Sequence, residues 1–107
     1  MASRQRWLRT RLLLLLDSHH PAVRQDAARS LAALVERGTF SPDSELQAAV
    51  LFLAGSSIVE DRQAAAYALS RLLSGSGSQT DTTLTDAIGI LRDDPSYLVR
   101  HHVSDVS

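Results

Sequence analysis

The sequence predicts an all-α protein: a short α-solenoid of about two and a half helix-pair repeats and six helices in 107 residues. Three observations lead there. The first is an ungapped spacing of 38, which aligns Arg24 with Arg62 and Arg100, Leu8 with Leu46 and Leu84, and Leu12 with Val50 and Ile88. It also aligns Leu15 with Leu53 and Leu91, Ala27 with Ala65 and Val103, Leu31 with Leu69, and Leu34 with Leu72. The second is that apolar residues inside each unit follow helical spacing, as in Leu8, Leu12, Leu15, Leu16 and again in Leu46, Val50, Leu53, Ala54. The third is punctuation by Pro, Gly and Ser between those stretches, with no segment alternating as a strand.

Taken in order, the elements follow from these signals. A first helix over roughly 3–17 carries the leucines, and His20-Pro21 breaks it from the next. Pro21, tolerated in a first turn, opens a second helix over roughly 22–37, which carries Val23, Ala27, Leu31, Leu34 and Val35 and stops at Gly38 as its C′ residue. Ser41-Pro42 opens a third, over roughly 42–54. Ser57 with Glu60 offers a capping box for a fourth, over roughly 58–74. Residues 74–78 read Ser-Gly-Ser-Gly-Ser, a linker, after which Thr80 or Asp81 caps a fifth helix over roughly 81–92. Asp94-Pro95 separates it from a sixth, over roughly 96–106. The chain is then a single domain of units 1–38, 39–76 and 77–107, the last incomplete by its own register.

Composition narrows the function classes. With 44% apolar and 21% charged residues and a net charge of -1, no whole-molecule field draws the chain to nucleic acid or to a membrane surface. Aromatics are few (Trp7, Phe40, Phe52, Tyr67, Tyr97), so the core must come from Leu, Val, Ile and Ala. Absence of Cys excludes disulfides, thiolate metal sites and cysteine nucleophiles. Leu12–Leu16 is shorter than the roughly 7–15 residues of a signal-peptide apolar region, and no segment approaches the ~20 of a membrane span. An Arg-rich, acid-poor start is also the composition of a mitochondrial presequence, but the repeat register uses these leucines as core. We expect a cytoplasmic protein.

The pattern of an acidic turn, Pro-x-Val-Arg and Ala-Ala-x-x-Leu resembles HEAT-type repeats, especially the short class related to phycobilisome-lyase repeats. Here it reads Asp17-Ser18-His19-His20-Pro21-Ala22-Val23-Arg24, then Ala27-Ala28 and Leu31. The third unit has Asp93-Asp94-Pro95 and Val99-Arg100, whereas the second puts Gly55, Val59 and Asp61 at the acid, Pro and Val places. The resemblance implies a helical scaffold in which the Arg column bonds the inter-helix turn of its own or a neighbouring unit. It pairs Arg24 with Asp17 and Arg100 with Asp93, the acids seven residues earlier, and Gly55 leaves Arg62 without one.

No catalytic constellation, phosphate loop or metal spacing stands out, since His19-His20 and His101-His102 are adjacent pairs rather than i, i+3 or i+4 pairs. We therefore expect no enzyme activity and no cofactor. Two surfaces remain. The ridge of the second helix of each unit presents Gln25, Gln63 and His101 in one column and Arg29, Tyr67 and Asp105 in another, with Arg71 and Glu36 one turn on. Exposed Tyr and Arg there are the residue types that anchor protein partners. Contact through the incomplete C-terminal end, including self-association, is the other expected mode. The alternative is a nucleic-acid contact through the first helix, where Arg4, Arg6, Arg9 and Arg11 could face phosphates around Trp7. The competing reading is a solvated cap with Trp7 packed on the first core layer.

Overall fold

A computed structural model describes residues 2–38, 40–75 and 82–104. Six helices and no strand occur among them: α1 Ala2–Leu16, α2 Pro21–Glu36, α3 Ser44–Ala54, α4 Val59–Gly75, α5 Thr82–Arg92 and α6 Tyr97–Val103. Expected and observed helix boundaries agree to within three residues, apart from the expected 81–92 and 96–106 ends that run into undescribed positions. Thr80, Asp81, Asp105 and residues 76–78 of the expected linker lie outside the described residues.

The helices form two layers. α3 packs between α1 and α5, α4 packs between α2 and α6, and each odd helix also rests on the even helix that follows it. The smallest extent of the molecule, 19 Å, matches two helix layers at about 10 Å each. Periodic leucines and valines meet between the layers: Leu12 and Leu16, Leu31, Leu46, Val50 and Leu53, Leu69 and Leu72, Leu84, Ile88 and Leu91, then Val99 and Val103. α2 and α4 make the most extensive contact, and buried alanines line it, Ala28 and Ala32 on α2 with Ala64 and Ala68 on α4. Small side chains let the two backbones approach closely, so α4 becomes the centre of the core.

Edge position explains where the leucine run departs from expectation. Leu15 is only half-buried although its column mates Leu53 and Leu91 are buried, and Leu14 is 70% exposed. Only one flank of α1 has a neighbouring odd helix, so a run of five consecutive leucines, which points to every side of the helix, cannot be wholly covered. α2 is polar on its corresponding flank, with exposed Asp26 and Ser30 at the repeat positions where α4 has buried Ala64 and Ala68.

Helix starts show two corrections. α3 opens at Ser44 rather than at Ser41-Pro42, with Asp43 as its cap, the carboxylate accepting the Leu46 N–H at 3.0 Å. Ser56 rather than Ser57 organises the turn before α4, since its hydroxyl accepts the Ile58 N–H at 3.0 Å. Gly38 ends α2 as expected, at φ 74°, where a side chain would be strained.

Candidate functional site

Three inter-helix turns repeat one arrangement at the 38-residue spacing. The side-chain oxygens of Ser18, Ser56 and Asp94 accept the N–H two residues on, from His20, Ile58 and Ser96, at 3.1, 3.0 and 2.9 Å. The carbonyls of those same residues accept from the Arg six positions later: Arg24 at 2.9 Å, Arg62 at 2.9 Å and Arg100 at 2.6 Å. Thus the Arg column is architectural, and each member ties α2, α4 or α6 to the turn that starts it.

The carboxylate partners differ from the expected ones. Asp17 and Asp93 are exposed and make no ion pair among the described residues. Arg24 instead donates across to Asp61 in the next helix pair at 2.7 Å, and Arg62 donates to both oxygens of Asp94 in the pair after that, at 2.7 and 3.3 Å. The side chains carry the bond forward between pairs because the i−6 carbonyl already takes one nitrogen, leaving the rest of the fork aimed at the neighbour. Asp61 is buried and also accepts from Gln25 at 3.0 Å and Ser56 at 2.9 Å. Burial raises the Asp61 pKa, but the donors Gln25, Arg24 and Ser56 outweigh it and hold the carboxyl below the usual range. Asp94 is held low chiefly by Arg62, against burial, with help from the Ser96 N–H and the Arg62 and Arg100 charges. Gln25, read from sequence as a partner contact, is therefore committed to this network.

On the outer face of α2, α4 and α6 the remaining ridge residues come together. Arg29, Gln63, Tyr67 and His102 line a cleft of about 250 Å³. The guanidinium of Arg71 lies 4.7 Å from the Tyr67 ring centroid and 3.3 Å from Glu36, while Arg29 stands 4.0 Å from Asp26. Tyr67 meets His102 edge to face at 5.6 Å, and Gln63 Nε2 lies 3.5 Å from His102 Nε2. His101 takes no part in the cleft; its ring stacks at a tilt on exposed Tyr97 at 5.8 Å. One position along α6 turns a side chain by ~100°, so His102 rather than His101 faces α4. Burial pushes the His102 pKa down, and the charges of His101, Arg29 and Arg71 push the same way. An imidazole that stays neutral fits a ring packed between arginines. The chemistry on offer is recognition: guanidinium and carboxamide donors around an aromatic face.

The basic first helix is less available than its composition suggests. Arg9 binds both Asp43 and Glu45 at the start of α3, and Asp43 is held low by Arg9 first and the Leu46 N–H second. Arg11 lies 5.8 Å from the ring centroid of Trp7, which is 60% exposed rather than packed on the core. Arg6 is exposed on the same helix, and the Arg4 side chain lies outside the described ones.

No family model matches this chain, and no curated protein or solved structure matches it either. No helix among the described residues is long and apolar enough to cross a membrane.

Proposed function

We propose that this chain is a non-catalytic protein-interaction module of the cytoplasm, a HEAT-like α-solenoid that binds a protein partner through the outer face of α2, α4 and α6. The two helix layers and the three like turns support the solenoid reading. The observation that carries the function is Tyr67, an aromatic ring held between Arg71 and His102 at a cleft that Arg29 and Gln63 complete. Tyr and Arg anchors presented on rigid helices lose little side-chain freedom when a partner covers them. This face is favoured over the C-terminal end, where Gly89, Arg92 and Ser104 are exposed at the repeat positions of Leu51, Ala54 and Ala66. It is favoured over nucleic acid because Arg9 already satisfies two carboxylates.

The test is affinity capture from lysate of the source organism after nuclease treatment, with wild type and with Tyr67→Ala combined with Arg29→Glu. A protein held by wild type and lost with the double variant, at an unchanged circular dichroism spectrum, supports the site. Equal capture by both chains removes it. Recovery of nucleic acid alone, abolished by nuclease, moves the function to the Arg-rich helix.

A further inference from the structure

We propose that the outer face of α1, α3 and α5 is a second docking surface, and that its occupant is a basic amphipathic helix of a partner protein. Leu14, Phe52 and Ile90 stand 38 residues apart, one on each odd helix, and are 70%, 83% and 72% exposed. A single exposed aliphatic is ordinary. Three large ones at the same position of three adjacent helices are not, because each helix buries or half-buries its other periodic aliphatics. Around Phe52 the surface is low, formed by Ala48, Ala49 and Gly55, so the ring stands proud of it. At its C-terminal side the ring also borders a cleft of about 700 Å³ beside the first two inter-helix turns, where Leu16 and Leu51 meet Asp17, His19 and the Arg24–Asp61 pair, with room for a partner side chain.

Shape identifies the occupant. Neighbouring packed helices lie ~8–10 Å apart, so the row repeats at about that spacing. Residues i, i+7 and i+14 of a helix recur every ~10.5 Å along one face. A helix lying across α1, α3 and α5 thus sets one apolar residue beside each member of the row. The row is one side chain wide, the width of a helix stripe rather than of a globular face.

Charge gives the occupant its sign. Asp17 lies one turn beyond Leu14, and Asp86 and Asp93 bracket Ile90; all are exposed and none forms an ion pair among the described residues. Among the described residues three or four positions from the row, Arg11 is the one cation, and it is engaged with Trp7. Three carboxylates against one guanidinium favour Lys or Arg along the flanks of the visitor, and disfavour an anionic membrane. They disfavour a second copy too. A two-fold parallel to the helices sets Asp17 against the Asp93 of its mate, and one along the row sets Asp86 against Asp93.

The probe is a fluorescent helical peptide of about 18 residues, with Leu at its first, eighth and fifteenth positions and Lys on both flanks. Its anisotropy is titrated with the full chain. We expect saturable binding that weakens about tenfold or more with Phe52→Glu, and by a similar factor with Asp86→Lys plus Asp93→Lys. Both variants alter exposed side chains, and matching thermal melts verify that they fold. Absence of saturable binding overturns the proposal, as does equal binding by the Phe52→Glu chain or by a peptide carrying Glu in place of Lys. A dimer in sedimentation that Phe52→Glu dissociates overturns it in favour of a second copy. Phe52-dependent binding to phosphatidylserine vesicles overturns it in favour of a membrane.

Discussion

The junction between the first and second helix pairs and that between the second and third do the same work with differently placed acids. At the first, Arg24 meets Asp61, which lies inside α4 at the repeat position of Val23 and Val99. At the second, Arg62 meets Asp94, which lies in the turn at the position of Ser18 and Ser56. Ser56 bridges the two solutions, since its hydroxyl caps the turn as Asp94 does and also donates to Asp61. What is fixed is the place in space where an oxygen must meet the guanidinium. The residue that supplies the oxygen is free to move along the sequence.

The two junctions also differ in how deeply the acid is held, and that difference should appear in stability. Removing Asp61 strands Arg24 and Gln25, so Asp61→Ala should cost about 3–5 kcal/mol, as expected for breaking a buried pair. Asp94 is the less deeply buried acid, 8% exposed against 1% for Asp61, so Asp94→Ala should cost less, about 2 kcal/mol. Urea unfolding of both chains decides the order, and a larger loss for Asp94→Ala would break the comparison. Relocation of the acid sharpens it. Ser56→Asp together with Asp61→Val rebuilds the first junction in the form of the second, and should regain about 1–2 kcal/mol relative to Asp61→Val alone. If the double variant is no more stable than the single one, the two acids are not interchangeable.

Acid offers a smaller and separable effect. Both carboxylates titrate below the ordinary aspartate value in the folded chain. Their contribution is therefore complete above pH ~3.9 and is lost as pH falls through the folded values. Melting temperature measured against pH should drop steeply only below about pH 4, and Asp61→Ala should flatten that drop more than Asp94→Ala. His102 provides the smallest term. Its folded pKa is depressed, so the unfolded chain binds the proton first and stability begins to fall as pH passes below ~6.5. His102→Gln should remove that shallow early slope while leaving the later one in place; an unchanged profile would show that His102 is not the group responsible.

Much of this architecture was legible in the residues themselves. The 38-residue register and its Pro and Gly punctuation placed all six helices, because helix periodicity and turn chemistry are local properties. The register also singled out the Arg column, and the carbonyls that receive it lie only six residues away. The acids were misread because Arg24–Asp61 and Arg62–Asp94 span separate helix pairs, and no local spacing reveals a bond made across a packing interface. The bond from Gln25 to Asp61 was hidden for the same reason. On the candidate face, Arg29, Gln63, Tyr67 and Arg71 followed from the helical ridge. His102 did not, because choosing between adjacent histidines requires knowing which flank of α6 meets α4. Leu14, Phe52 and Ile90 were visible as a column only once exposure distinguished them from core.

The middle helix pair carries both halves of the junction, offering Arg62 forward and Asp61 backward. Its alanines at 64 and 68 already fit against a preceding helix. A tandem copy of residues 39–76 inserted after the original would place Arg62 of the first copy before Asp61 of the second, in the register that Arg24 and Asp61 occupy now. The second copy would still offer its Arg62 to Asp94. Length in this molecule is thus a modular quantity: a gene duplication confined to the centre would add a helix pair whose ion-pair joints repeat ones the molecule already possesses.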